Sequence, residues 1–313
     1  MRTQARITLL LFAAIGLAVC AHAWQQDDSW AKSIEALIAA GNLPEARLQF
    51  SAQEAQRRGS YPGLVLEARL LFAEQRYAES LSTLERCLAV RRDDPEAYKL
   101  VAVSAIRLDK LETAEMALKS AEALAPKDYL VHFHLGALYY TESRFPEARP
   151  ELERAVSLRA DYLPAQLFLG LALEELDGEE SAIETYRKAI ALNEAQGGKS
   201  ELPDLYLGRL LYRMNRIPES APLLRKACET NAGSAEACLL LGKALSTLGQ
   251  TDQAIPALQR AIQADPRDPE PHYVLSRVYL TLHRGEESAH EKARFRELQG
   301  PEKRKDDGRR KGP

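Results

Sequence analysis

The chain has 313 residues, 45% of them hydrophobic and 28% charged, with 42 basic and 45 acidic side chains and a net charge of −3. This composition is typical of a soluble folded protein and too apolar for a disordered one. It lacks the strong basic excess of nucleic-acid-binding proteins, so no nucleic acid is expected as a partner. The length fits either two globular domains or one elongated array of repeats.

Residues 1–23 have the pattern of a secretory signal peptide. Two arginines precede an apolar stretch that is too short to span a bilayer comfortably, and Ala-His-Ala at 21–23 matches a small-residue cleavage site. We therefore predict an exported protein, periplasmic or secreted, that begins at Trp24. Removal of the two arginines leaves 40 basic and 45 acidic residues, a net charge of −5.

The sequence leaves two alternatives to cleavage at this site. In the first, the apolar segment is retained as an N-terminal anchor. In the second, Cys20 is lipidated, because Leu-Ala-Val at 17–19 resembles a bacterial lipobox. Val19 is bulkier than the small residue that such a signal requires before the cysteine. No other apolar run is long enough to cross a membrane, so no membrane span is expected in the mature chain.

Small residues recur every 34 positions along the chain, with one step of 38 between Ala182 and Ser220. This small-residue series comprises Ala46, Ser80, Ala114, Ala148, Ala182, Ser220, Ala254 and Ser288. Large apolar residues recur with it, in one series of Leu37, Leu71, Ala105, Tyr139, Leu173, Leu211, Leu245 and Tyr279 and in another of Phe50, Leu84, Leu118, Leu152, Tyr186, Leu224 and Leu258. Within a unit the apolar residues are three and four apart, which is helical spacing. The period predicts an all-α repeat protein.

The repeat unit resembles the tetratricopeptide repeat (TPR) family, whose first helix carries Trp, Leu-Gly and Tyr. Trp30 matches the Trp, Leu135-Gly136 with Tyr139 match the remainder, and Leu-Gly recurs at 169–170, 207–208 and 241–242. The resemblance implies a right-handed superhelical solenoid of about eight helix–turn–helix repeats over residues 24–300, followed by a disordered polar tail at 301–313. The expected units are 27–60, 61–94, 95–128, 129–162, 163–196, 201–234, 235–268 and 269–300.

The first two units and the last unit depart from the family pattern. Ser33-Ile34 and Glu67-Ala68 replace Leu-Gly, and Lys292 replaces a large apolar residue. Terminal repeats have a neighbour on one side only, so these units are expected to be looser or to act as caps.

The sequence offers no catalytic constellation, and we expect no enzyme activity, metal or cofactor. His132 and His272 occupy the repeat position of Trp30 and are interpreted as structural substitutions. Gly-Gly-Lys-Ser at 197–200 lacks the upstream glycine and the preceding strand of a phosphate loop, so no nucleotide is expected. Acidic pairs such as Glu174-Glu175 are interpreted as solvated faces.

Two of the cysteines, Cys228 and Cys238, fall on neighbouring predicted helices. They either form a disulfide in an oxidising compartment or remain free buried thiols, and the pattern favours free thiols.

The resemblance implies that the first helices line a concave face that binds extended peptides or partner helices. The residues expected in this peptide-binding groove are Phe133, Tyr140, Arg209, Tyr212, Arg213, Lys243, Tyr273 and Arg277. Three of the basic residues are spaced by 34, which predicts a partner with an acidic or carboxylate-bearing segment. The alternative is an ordinary solvated face of mixed sign, because Glu96, Glu174, Glu175, Glu236 and Glu270 occupy neighbouring positions.

Two functions follow as hypotheses. The first is a non-catalytic scaffold of the bacterial envelope, a setting in which relatives of this kind assist pilus, secretion or outer-membrane assembly. The second is a targeting or regulatory module associated with a separate enzyme such as a glycosyltransferase or protease. Only about 14 residues follow the last repeat, too few for a catalytic domain, which favours the scaffold.

Overall fold

The computed structural model describes residues 29–176 and 178–300, and the predicted signal peptide with Cys20 and the polar tail at 301–313 lie outside them. The described residues form helices without a strand, so the all-α prediction is confirmed. None of these helices combines the length and the apolar character needed to cross a membrane. The helices are α1 (Ser29–Ala39), α2 (Leu43–Ser51), α3 (Ala55–Gly59), α4 (Tyr61–Ala73), α5 (Tyr77–Val90), α6 (Pro95–Arg107), α7 (Leu111–Leu124), α8 (Tyr129–Thr141), α9 (Phe145–Leu158), α10 (Leu163–Glu175), α11 (Glu179–Ala195), α12 (Leu202–Arg213), α13 (Ile217–Thr230), α14 (Ala235–Thr247), α15 (Thr251–Ala264), α16 (Glu270–Thr281) and α17 (Gly285–Leu298).

The chain divides after Ala172, within α10, into two compact units. In the first unit α4 packs on α5, α6 on α7 and α8 on α9, and α5 and α7 also contact the helices that follow them. In the second unit α12 packs on α13, α14 on α15 and α16 on α17, with the same contacts between successive pairs. Each unit is therefore a stack of helical hairpins. The residue boundaries expected for the eight repeats stay a prediction.

In seven hairpins whose turns the structure describes completely, one turn residue has a positive φ angle. The next residue donates its backbone N–H to the carbonyl five positions earlier, as from Arg144 to Tyr139 at 2.8 Å. This arrangement satisfies a carbonyl at the end of the first helix, and it requires a left-handed residue that is most easily glycine. Two of these turn residues are glycines and five are not: Gly41, Gln75, Asp109, Ser143, Asn215, Gly249 and His283.

The two helices of a hairpin cross closely at the small-residue series. Ala148 is completely buried, and the Cβ that an alanine would add at Gly136 would lie 2.5 Å from Cγ of Leu152. Where the series holds serine, the hydroxyl donates to a carbonyl twelve residues earlier, as from Ser220 to Gly208 at 2.7 Å. Small side chains are needed here because a larger one would force the helices apart.

The last hairpin is packed less tightly than the hairpins before it. No residue of α17 is fully buried, and Lys292 is exposed where earlier repeats bury a large apolar side chain. Ser288 is only partly buried, although its hydroxyl still donates to the carbonyl of Ser276 at 2.7 Å. The structure agrees with the expectation of a looser terminal repeat.

Cys228 and Cys238 form a disulfide, so the preference for free thiols was wrong. Cys228 lies near the end of α13 and Cys238 near the start of α14, and the short turn between them brings their Cα atoms to 4.9 Å. The bridge therefore ties one hairpin to the next. Cys87 is a buried free thiol whose pKa is raised to about 12, chiefly by burial, so it stays protonated at neutral pH.

Replacement of Gly136 by alanine tests the close helix crossing. The new methyl group would lie within 3.0 Å of two Leu152 side-chain atoms, and we expect a loss of about 1–3 kcal/mol in the free energy of unfolding. Urea titration followed by circular dichroism measures it. The matched control is Gly285→Ala, whose methyl would meet nothing within 4 Å and should leave stability equal or slightly higher. Equal losses for the two variants would contradict the proposed crossing.

Candidate functional site

The basic residues predicted in the groove lie on the first helices of the second unit. Arg209 is on α12, Lys243 on α14 and Arg277 on α16, and these three helices contact one another in that order. The 34-residue spacing therefore places the cations one per hairpin on successive first helices. Arg209 and Lys243 are partly buried, whereas Arg277 is exposed.

Two of these cations are paired with glutamates of the following repeat. Arg209 Nη1 lies 3.4 Å from Glu236 Oε1, and Lys243 Nζ lies 2.5 Å from Glu270 Oε1. Both links join residues 27 positions apart, so they connect one hairpin to the next. The positive charge at these two positions is therefore largely neutralised within the protein.

Arg277 differs from the other two cations. In the described part of the second unit it has no carboxylate within 4.0 Å, and its guanidinium carbon lies 6.0 Å from the centre of the Tyr273 ring. That ring is 44% exposed and packs at 5.2 Å against Phe295. Arg277 and Tyr273 therefore present an open cation beside an accessible aromatic face.

Glu174 is buried rather than solvated, and the sequence interpretation of the Glu174-Glu175 pair was wrong for its first member. The Tyr186 hydroxyl donates to Glu174 Oε1 at 2.5 Å, and Arg213 Nη2 lies 3.0 Å from Glu174 Oε2. Burial, and then the adjacent carboxylate, raise the pKa of Tyr186 well above its usual value. Arg209 stands within 3.9 Å of the same carboxylate. The carboxylate is accommodated inside the unit because three donors surround it.

Tyr212 lies one residue before Arg213 and is partly exposed, whereas Arg213 is exposed despite its contact with Glu174. Both can therefore contact a ligand that lies along α12.

The aromatic residues predicted in the first unit are only in part on the surface. Phe133 is completely buried, so the expectation that its ring is displayed in a groove was wrong. Its ring packs edge-on against Tyr162 at 5.2 Å and Phe168 at 5.6 Å. Tyr140 is partly exposed, and its ring packs edge-on against Phe168 at 5.7 Å. Phe133 thus supports the helix that carries Tyr140 and fills space that a smaller side chain would leave empty.

A cluster around His132 was not predicted from the sequence. Ligand-type atoms of Glu122, His132 and Glu151 lie within 4.8 Å of one another. His132 Nδ1 is 2.7 Å from Glu151 Oε2, and the equivalent pair His272 and Glu291 is 2.5 Å apart. Both pairs are 19 residues apart in the chain, and this repeated spacing was the available signal.

Stacked helical hairpins, whose first helices are largely buried but carry exposed side chains such as Arg213 and Arg277, are typical of an interaction scaffold. Tetratricopeptide repeat models match residues 65–129 and 133–197, and again 211–278 and 247–290. These segments cover more than half of the chain. The chain belongs to the tetratricopeptide repeat family.

Solved structures with the same fold include YrrB, described as a TPR protein with an unusual peptide-binding site. It is 19% identical, covers 59% of this chain and 94% of its own, and superposes with a TM-score of 0.52. The Pseudomonas aeruginosa pilF structure is 17% identical, covers 69% and 96% of the two chains, and has a TM-score of 0.59. At these identities the likeness concerns the fold alone.

Among curated proteins, the BBSome complex member BBS4 homolog of Drosophila melanogaster is 23% identical over 157 residues. The match covers 50% of this chain and 32% of that protein, so the chain corresponds to about a third of the relative.

A buried histidine beside the aromatic cluster makes stability depend on pH. His134 is buried, and burial, aided by the charge of Lys99, lowers its pKa to about 4. The unfolded chain binds this proton near pH 6.5, whereas the folded chain does not, so stability falls as the pH drops from about 6.5 to 4. We expect a contribution of up to about 1.4 kcal/mol per pH unit in that interval.

The measurement is the free energy of unfolding at several pH values for the wild type and for His134→Gln. In His134→Gln, the free energy of unfolding should depend less steeply on pH between about 4 and 6.5 than in the wild type. The control is His283→Asn, because His283 is exposed and has a φ of 57° that asparagine tolerates. Identical slopes in the wild type and His134→Gln would show that His134 is not the group responsible.

Proposed function

We propose that this protein is a non-catalytic scaffold that binds an extended, acidic segment of a partner protein along the first helices of its second unit. The observation that carries the proposal is the exposed pair of Arg277 and Tyr273 on α16, beside Lys243 on α14. A peptide carboxylate would meet an arginine without a competing glutamate, and the tyrosine would supply apolar contact area. The peptide-binding site described for YrrB is compatible with this use of the fold.

Glu270 determines how strongly the neighbouring position attracts an acidic ligand. Glu270 Oε1 lies 2.5 Å from Lys243 Nζ, and both side chains are partly or wholly exposed to solvent. A ligand carboxylate has to displace Glu270 or share Lys243 with it, so the glutamate acts as an internal competitor. Arg209 is a poorer contact point because Glu236 and Glu174 already surround it.

We further propose that the protein works outside the reducing cytosol, in the periplasm or beyond, as a component of the bacterial envelope. The signal-like sequence at 1–23 supports export. The disulfide between Cys228 and Cys238 supports it independently, because such bonds persist in oxidising compartments and are rare in the cytosol.

Binding of fluorescent ten-residue peptides tests the proposed groove. An aspartate-rich peptide should bind and should weaken as salt rises, because exposed charges are screened over about 8–10 Å. Lys243→Ser with Arg277→Ser should reduce affinity roughly tenfold or more, which corresponds to about 1.4 kcal/mol. Glu270→Gln should instead increase affinity, since it frees Lys243.

The matched control changes Arg225 and Arg260 to serine, because these arginines lie on the second helices α13 and α15. It removes the same net charge and should leave affinity within about twofold. Equal losses of peptide affinity in the control and in the groove variant would show that the effect comes from the overall charge of the protein and not from the groove. A lysine-rich peptide that binds as tightly as the aspartate-rich one would contradict the proposal.

Export is tested on the full chain produced in a bacterium with a periplasm. We expect the exported protein to begin at Trp24, and Cys228 and Cys238 to resist alkylation in denaturant until a reductant is added. N-terminal sequencing and intact mass measure both features. A lipid attached to Cys20, an uncleaved N-terminus or freely alkylated Cys228 and Cys238 would each contradict the corresponding part of this proposal.

A further inference from the structure

We propose that Glu122, His132 and Glu151 form a binding site for one divalent transition-metal ion of the Zn²⁺ type. The three side chains come from three successive helices of the first unit, α7, α8 and α9. Their nitrogen and oxygen ligand atoms lie within 4.8 Å of one another, and His132 is only 5% exposed. A metal ion here would tie the second helix of one repeat to both helices of the next.

The hydrogen bond on the far side of the His132 ring orients it as a metal ligand. His132 Nε2 lies 3.0 Å from the carbonyl oxygen of Pro126, and a carbonyl can only accept, so Nε2 carries the proton. In the neutral ring the lone pair is then on Nδ1, which points at Glu151 Oε2 at 2.7 Å. A backbone carbonyl that receives the second ring N–H is the usual support of a metal-ligating histidine.

The contact between His132 and Glu151 needs a proton or a metal ion. Two acceptors, the Nδ1 lone pair and a carboxylate oxygen, face each other at 2.7 Å and repel unless a proton or a metal ion lies between them. Within the described residues, neither Glu122 nor Glu151 has a lysine or arginine within 4.0 Å. A proton shared by the two side chains or a metal ion therefore holds them together, and Glu122 supplies the additional ligand that only the metal needs.

The donor set favours zinc over calcium or magnesium. One imidazole and two carboxylates suit Zn²⁺, with water as the fourth ligand, whereas Ca²⁺ and Mg²⁺ require more oxygen ligands. Zinc ligands lie about 2.0–2.2 Å from the ion. Ligand atoms that are up to 4.8 Å apart must therefore approach one another by about 1 Å, which flexible glutamates permit because both are only partly buried.

The second unit contains a natural comparison for this site. His272 and Glu291 lie 140 residues after His132 and Glu151, but the position 140 residues after Glu122 is Ile262. The His272 pair thus has the same histidine–glutamate contact without a glutamate in the position of Glu122. His290 Nδ1 lies 3.4 Å from Glu291 Oε1, but among the described residues only the His132 cluster brings three ligand atoms within 4.8 Å of one another. If both pairs have only a structural role, we expect the His132 and His272 pairs to bind zinc equally weakly. If the His132 cluster is a metal site, we expect only this cluster to bind zinc tightly.

Calorimetric titration of the untagged full chain with Zn²⁺, after removal of metals with a chelator, tests the proposal. We expect one tight equivalent and a higher melting temperature with Zn²⁺, and no such effect with Mg²⁺ or Ca²⁺. Glu122→Gln should weaken the tight site by about 100-fold or more, and His132→Gln should abolish it. Co²⁺ in place of Zn²⁺ should give the visible absorption of a tetrahedral nitrogen–oxygen site in the wild type and not in Glu122→Gln.

His272→Gln is the matched control and should keep the tight equivalent. Circular dichroism of each variant establishes that it is folded, and Glu122→Gln keeps the proposal testable if His132→Gln fails to fold. Wild-type zinc affinity in Glu122→Gln would overturn the proposal and leave a hydrogen bond between His132 and Glu151 as the explanation of their contact. Loss of binding in His272→Gln alone would overturn it as well, by placing the zinc on the second unit.

Discussion

The close crossing of two helices within each hairpin is the constraint on which the rest of this structure depends. Gly136 fits against Leu152 because it lacks a side chain, and Ala148 is buried beside it. Where a serine replaces alanine, its hydroxyl must find a carbonyl, and Ser80 and Ser220 do so within their own hairpins. The separation of the two helices is fixed by this crossing. It determines which residues the turn needs, which apolar side chains are buried, and how successive hairpins stack.

At positions where the family usually has tryptophan, this chain places polar or covalent contacts, of which the Cys228–Cys238 disulfide joins two hairpins. His132 contacts a glutamate of its own hairpin and stands near one of the preceding hairpin. Cys238, at the equivalent position of the second unit, is bonded to Cys228. Such links specify one register between neighbours, whereas an apolar side chain would tolerate small shifts. Repeat proteins derive much of their stability from these nearest-neighbour interfaces.

The fold could be predicted from the sequence because a 34-residue period leaves few alternatives to stacked helical hairpins. The spacing of Arg209, Lys243 and Arg277 could also be predicted from the sequence. The pairing of Arg209 and Lys243 could not, since it depends on glutamates 27 residues away that meet them only after the hairpins stack. Burial of Phe133 and Glu174 could not be predicted, because helical periodicity fails on helices that are covered on several sides.

The second unit is proposed to bind its partner along its first helices. The most direct test is hydrogen–deuterium exchange measured by mass spectrometry, with and without a saturating aspartate-rich peptide. We expect slower exchange in α14 and α16, which carry Lys243, Tyr273 and Arg277, and little change in the second helices α13 and α15. Protection confined to α13 and α15, or no protection anywhere while the peptide is bound, would contradict this mode of binding.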